Sequence, residues 1–476
     1  MSTMEPMTQA AGPNEVLVLG AGFSRAVSEH LPLTDELGQL AAETAEVAGT
    51  TRVPRRGFHD GNFETWLSRI AEDQPHLGET ENRENAALFS KMREAIVLNL
   101  RVRQTMAFGT DAPSWLYELL SVLHYRRTPV VSFDYDTIVE VGVASHHLWH
   151  GGVGRAVTPE DVLNDLPPPA HRVGTYDGGI VPLVPTFRLY KLHGSLDWYA
   201  APDDWTGATL NRAPTADRFG EPHAYDEEKR KRELPGREPF IVPPSATKLA
   251  FYRNTIVREL WQGAAKALRA AERIALVGYS LPSADLVFSG LLEEAIRGRE
   301  VTVEVVNPKP DQVVKNLELM GVDSGQITIV DDDPDCVPSF VRGYRDRAAE
   351  AFVADLRAVD SSRGDDTRLT MPWGDPLPSA SAAAPVRAIV SIDTLRPDGS
   401  LVLSTGPDMT RPGGQAAQVF ASKTLSDLLA SLGNAHRVVV RTLDGRDVPV
   451  VGAWQESADE HHWPTLALVP AGRSSR

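Results

Sequence analysis

Residues 15–27 read EVLVLGAGFSRAV, and the fold follows from how they divide. Val16, Leu17, Val18 and Leu19 form an unbroken apolar run, as expected of a parallel strand buried on both faces. Gly20, Ala21 and Gly22 interrupt that run, and the residues after them can begin a helix. Glycines at such a turn let backbone approach a phosphate, and the helix N-terminus offers free N–H groups and a positive dipole. The third glycine of the usual dinucleotide fingerprint is missing, because Arg25 stands in its place. A phosphate cradle and a plain tight strand–helix turn are both open readings of Gly20–Ser24.

Working outward, the same alternation recurs. Phe63, Trp66, Leu67 and Ile70 share one face of a helix beginning near Asn62. Leu88, Met92, Ala95, Ile96 and Leu100 mark a second helix, and SWLYELLSVLH (114–124) a third with Ser114 at its N-cap. TPVVSFDYD (128–136) and FRLYKLHG (187–194) read as further buried strands. A helix over 253–271, a strand RIALVGYS, a helix capped by Ser283, strands VTVEVVNP and QITIVDD, and a long last helix from Ser339 follow. Strands and helices alternating at this spacing predict an α/β fold with an open, mostly parallel sheet.

The chain has 476 residues, which predicts more than one core. Residues 1–13 are expected to be disordered and 14–360 to form the α/β domain, with a polar, Pro-rich insertion or lid at 200–244. Residues 361–385 are rich in Ser, Pro, Gly and Ala and read as a linker. Residues 386–470 carry two hairpin signals, one around Pro397-Asp398-Gly399 and one around Asp444-Gly445, plus a short helix ending at Gly433 and a last strand PTLALVP. They read as a small α+β module of unknown role. The net charge of −16 argues against direct nucleic-acid binding. The basic run Lys229–Arg232 is flanked by acids and reads as a solvated face. The single cysteine, Cys336, excludes a disulfide framework and a cysteine-rich zinc site, and no metal is expected. With no long apolar segment and no signal-like N-terminus, a cytoplasmic protein off the membrane is the expectation.

Polar residues gather at the ends of the strands, where open parallel sheets bind ligands. Ser132, Asp134 and Asp136 end one strand, and Asp136 reads equally as a cap for the helix after it. His193 ends another, with Gly194 leaving room for something to come close. Gly278 and Ser280 end a fourth strand and Asn307 a fifth. A lone histidine is commonly structural; a third polar strand end in one sheet makes His193 a candidate base.

In order, GAGFS, SFDYD, KLHGS, GYSLPSAD and VVNP resemble the sirtuin-like family across residues 14–350. The resemblance implies a Rossmann-like NAD-binding domain with helices on both sheet faces. It implies that Gly20, Ala21, Gly22, Phe23 and Ser24 hold the pyrophosphate, that Asp134, Asp136 and His193 form the reactive centre with His193 as base, and that Gly278, Ser280 and Asn307 meet the adenosine half. The family's protein deacylases carry a four-cysteine zinc module that this chain lacks. It looks closer to the bacterial sirtuin-like NAD hydrolases of anti-phage defence, in which a helix like Asn62–Ile70 follows the first βα unit. Asp134 stands where the family has Asn, which leaves the donor of an amide unreplaced if the carboxyl is ionised. The expectation is a triggered NAD⁺ glycohydrolase using NAD⁺ as substrate, with a homo-oligomer or protein trigger acting through the C-terminal module. A non-catalytic NAD or ADP-ribose binder and an NAD-dependent protein deacylase are the alternatives.

Overall fold

A computed structural model describes residues 4–6, 14–357, 368–371, 389–398, 400–405, 418–419, 428–432, 437–442, 447–456 and 465–472. Within 14–357 it leaves out 51, 147, 151–154, 171–182, 203, 205, 214–216, 224–226, 246–247, 249–250, 283–284 and 332.

Six strands form the central sheet: β1 (Glu15–Leu19), β2 (Val130–Ser132), β3 (Leu189–Lys191), β4 (Arg273–Val277), β5 (Thr302–Val306) and β6 (Ile327–Asp331). Their order is 3-2-1-4-5-6 and every neighbouring pair is parallel. This is the doubly wound, Rossmann-like arrangement, whose strand order reverses between β1 and β4. The apolar run Val16–Leu19 explains why both faces are covered. Val16 and Val18 join the core beneath α7 (Thr255–Ala270), α8 (Leu286–Ile296) and α9 (Pro310–Leu319) once these helices close on the sheet. Leu17 and Leu19 join the opposite core with α5 (Ser114–Arg126), α6 (Ile138–His146) and α10 (Cys336–Arg357). The short α1 (Ala21–Val27) buries Phe23 in that second core, edge-on to Trp115 at 5.9 Å.

Three helices stand over the carboxyl ends of the strands: α2 (Thr34–Thr44), α3 (Asn62–Ala71) and the 30-residue α4 (Glu79–Phe108). Their own cluster of Leu37, Phe63, Leu67, Met92 and Ile96 reaches Leu196 and Ile241 of a small antiparallel sheet. That sheet pairs Gly194–Ala200 with Asn211–Arg212 and Glu238–Ile241. The 200–244 stretch, read as an insertion or lid, thus supplies a strand that flanks the site. Helix starts differ from expectation in detail. Pro113 rather than Ser114 is the N-cap of α5, α7 is capped by the Asn254 side chain, and α8 begins after Asp285. Ser283 lies outside the described residues.

The C-terminal strands form an eight-stranded sheet among the described residues. Both expected hairpins are present, Ile389–Leu395 with Leu401–Thr405 and Arg437–Thr442 with Asp447–Glu456, and Thr465–Pro470 is the last strand. Two strands come from segments expected to be unstructured. Arg368–Met371 pairs in parallel with Thr465–Pro470, inside the stretch read as linker, and Met4–Pro6 pairs with Asp447–Glu456. Leu428–Leu432 belong to the expected short helix, whose Gly433 end lies outside the described residues. The two cores share α10. Phe340, Val341 and Tyr344 pack under the parallel sheet, while Phe352, Val353 and Leu356 pack with Ile392, Val438, Val450 and Leu468. One helix thus contributes side chains to both cores. No helix among the described residues is long and apolar enough to cross a membrane.

Candidate active site

At the switch point between β1 and β4 the two strand ends cross backbone to backbone. Gly22 N–H donates to Gly278 O at 2.9 Å, and Gly278 N–H donates to Val306 O at 2.8 Å. Gly278 has φ +63°, and a Cβ there would lie 2.1 Å from Phe23 N. These glycines are therefore required by each other. Of the turn residues, Ser24 keeps a polar group in the cleft: it is buried, and its Oγ makes no hydrogen bond of ordinary geometry while interacting with the Asp134 carboxyl. The Phe23 side chain belongs to the core.

The end of β2 supplies both carboxylates, each 8% exposed. Asp136 Oδ1 accepts the Ile138 N–H at 3.1 Å, so the helix-capping reading holds for one of its oxygens. Burial pushes the Asp134 carboxyl well above the usual carboxylate range, and the charges of Asp136 and Glu140 push the same way, against Lys191 and the Ser24 hydroxyl. A carboxyl kept neutral has one O–H donor beside its acceptor oxygen, and so supplies one of the two donors an amide would offer. Beneath them Lys191, 1% exposed, pairs with Glu140 Oε1 at 3.0 Å and donates to the Asp136 carbonyl. Burial alone would lower the Lys191 ammonium, but Glu140, Asp197 and Asp136 outweigh it and hold it raised.

His193 sits in the two-residue turn after β3, 6% exposed. Gly194 follows at φ +79°, and a Cβ there would lie 2.3 Å from Phe240 O. What comes close to this glycine is thus the strand Glu238–Ile241. The imidazole lies edge-on to Phe133 at 4.8 Å, and Phe133 stacks on Tyr279 at 4.7 Å. Its Nε2 is 3.3 Å from Lys248 Nζ and 3.7 Å from Asp285 Oδ2. Burial, reinforced by the Lys248 charge, holds His193 well below the ordinary imidazole range. The ring is neutral near pH 7 and able to accept a proton.

Sequence reasoning missed Lys248, Asp285 and Glu64. Asp285 binds the Tyr279 hydroxyl at 3.0 Å and pairs with Lys248 at 3.3 Å. Glu64, on α3, is pushed up to about 7 by burial, Asp285 and Asp35, against the Lys248 charge. Tyr252 has a buried hydroxyl without a partner and feels Asp285. Asp285 and Glu64 lay inside quoted motifs, GYSLPSAD and the helix from Asn62, so the signal for them was present; Lys248 had none. The structure brings Gly20, Gly22, Ser24, Asp134, Asp136, His193 and Gly278 to the carboxyl edge of the sheet. Ala21 is the first residue of α1. Ser280 is exposed, and Asn307 turns the chain after β5 by accepting the Lys309 N–H at 2.9 Å.

No protein-family model and no curated protein matches the chain. Among solved structures, a Sir2 homologue in complex with NAD aligns with 72% of this chain and 93% of its own, at 14% identity and TM-score 0.35. A Ser-to-Ala mutant of a Sir2 homologue with ADP-ribose aligns with 71% of this chain and 95% of its own, at 15% identity and TM-score 0.29.

Proposed function

We propose that the chain is a sirtuin-like NAD⁺ glycohydrolase that cleaves the nicotinamide–ribose bond to give nicotinamide and ADP-ribose. The observation that carries this reading is that Ser24, Asp134, Asp136 and His193, all buried, follow the carboxyl ends of the three adjacent strands β1, β2 and β3 of a doubly wound sheet. In the reaction, water oxygen bonds to the ribose anomeric carbon. The bond to the nicotinamide nitrogen breaks, and its electron pair neutralises the ring, so the leaving group needs no proton. The proton lost by water goes to His193. A general base of this kind contributes about 10²–10⁴-fold. Asp136, or Asp134 when ionised, faces the positive charge that develops on the ribose; Asp134 when neutral orients a ribose hydroxyl. The turn Gly20–Ser24 holds the pyrophosphate, and the Ser24 hydroxyl, which interacts with Asp134 but makes no hydrogen bond of ordinary geometry, is a group that a polar ligand would satisfy. Gly278, Ser280 and Asn307 meet the adenosine half.

On this reading the enzyme is triggered and serves bacterial anti-phage defence, with a protein trigger or a second copy engaging the C-terminal module. The continuity of α10 through both cores supports coupling between the C-terminal module and the α/β domain, because one helix packs in both. The test is to incubate purified protein with NAD⁺ and follow nicotinamide and ADP-ribose by chromatography. Release by the wild type, reduced about 10²–10⁴-fold in His193→Ala, is expected. Binding of NAD⁺ by the wild type with release only by Asp134→Asn would make the natural chain a binding protein.

A further inference from the structure

Lys248 lies between the strand Glu238–Ile241 and α7 and is only 4% exposed. Its Nζ stands 3.3 Å from His193 Nε2 and 3.3 Å from Asp285 Oδ1. The other Asp285 oxygen accepts the Tyr279 hydroxyl at 3.0 Å and lies 3.7 Å from the same His193 nitrogen. Lysine, histidine and aspartate thus close a triangle. A lysine ammonium has only donors, so what Nε2 offers it is the imidazole lone pair. That lone pair is the one a general base must present to water. Asp285 can compensate one cation at this spot, the ammonium now beside it or an imidazolium formed by proton uptake. Two cations 3.3 Å apart, sharing one buried carboxylate, oppose each other.

The surroundings hold few other charges. Glu64 of α3 feels both Lys248 and Asp285, and it offers the ammonium a second carboxyl. Tyr252, before α7, feels Asp285. Tyr135, after β2, has its ring 6.4 Å from the imidazole and its hydroxyl on Val242 O at 2.7 Å. Tyr279 is committed to Asp285. Asp134 reaches this group through its influence on Tyr135.

We propose that Lys248 masks the base: in the resting site its ammonium occupies the Nε2 side of His193, and its withdrawal from the triangle lets His193 take a proton while Asp285 balances the imidazolium. Lys248 and Asp285 act through His193 and are positioning residues. The activity part rests on the NAD⁺-cleaving reading above; the titration part does not.

The test has two independent readouts on the full chain. Ring-labelled histidine is titrated by NMR without nucleotide, with the His193 resonance assigned by its loss in His193→Ala. Nicotinamide release from NAD⁺ is measured alongside. In Lys248→Met the His193 midpoint is expected to move up and basal release to rise about tenfold, the equivalent of one pH unit of base strength. Lys248→Arg, which keeps the charge, should titrate like the wild type. If Lys248→Met is too unstable with Asp285 left unpaired, Lys248→Gln, which keeps N–H donors for Asp285 and removes the charge, should raise the midpoint in the same way. An unchanged or lower midpoint in the uncharged variants overturns the proposal. Release that falls in Lys248→Met with an unmoved midpoint makes Lys248 a substrate contact, and again overturns it. A raised midpoint with no release by any variant keeps the masking contact and removes the NAD⁺-cleaving reading instead.

Discussion

Asp134→Asn tests the electrostatics of the cleft most directly. The Asp134 carboxyl is 8% exposed, and burial raises it well above its ordinary 3.8, with Asp136 and Glu140 adding to the shift. In the unfolded chain the same group ionises near its ordinary value. Between the two values the folded state holds a proton that the unfolded state has lost. The contribution is therefore fully present below the unfolded value and is lost as pH rises toward the folded one. For one proton the slope is about 1.4 kcal/mol per pH unit. Asparagine has nearly the same shape and never ionises, so it carries no such slope. The stability of Asp134→Asn relative to wild type should rise with pH by about 1.4 kcal/mol per unit, or about 3 kcal/mol over two units, and level off once folded Asp134 ionises. Guanidinium denaturation of both proteins at half-unit steps from pH 5 to 8, followed by tryptophan fluorescence, measures that difference. Because neutral Asp134 and an amide each offer a donor beside an acceptor oxygen, nicotinamide release by the variant should match wild type at low pH, where the wild-type carboxyl is protonated. A stability difference flat across the range would mean that Asp134 carries the same charge folded and unfolded, and the account of a neutral carboxyl would fall.

Lys191→Met should cost about 3–5 kcal/mol in the same denaturation assay, because Glu140, also 1% exposed, loses its partner; Lys191→Met/Glu140→Gln should recover most of that loss. Gly278→Ala places a Cβ 2.1 Å from Phe23 N at φ +63°, whereas Gly298→Ala has φ +69° and nothing within 4 Å. Gly298→Ala should cost only the conformational term of about 1–2 kcal/mol, and Gly278→Ala clearly more, with loss of nicotinamide release as the α1 turn shifts. Equal costs for the two would refute the backbone contact between the strand ends.

The strand ends were legible because each signal is local. An apolar run broken by small or polar residues specifies a buried strand and where it stops, and β1, β2, β4 and β5 appear where the runs predicted. The hairpin around Pro397-Asp398-Gly399 was legible for the same reason, since the turn residues sit between two alternating runs. The strands Met4–Pro6 and Arg368–Met371 were not. They are four residues or fewer, and they pair with a partner far along the chain rather than with a neighbour. The glycines were noticed for a partly different reason from the one the structure gives: Gly22 and Gly278 make room for each other, and Gly194 for Phe240 O.

By itself, the sequence determined the doubly wound α/β class, the position of the strand ends, and the presence of Ser24, Asp134, Asp136 and His193 at them. Tertiary structure alone decided which charges those groups carry. Lys248, Asp285 and Glu64 come from three separate segments, and no pattern around Lys248 distinguishes it from a surface lysine. Only in the folded chain do Lys248 and Asp285 stand beside His193, with Glu64 within reach of their charges. Burial in the folded chain raises the Asp134 carboxyl and, with the Lys248 ammonium, lowers His193.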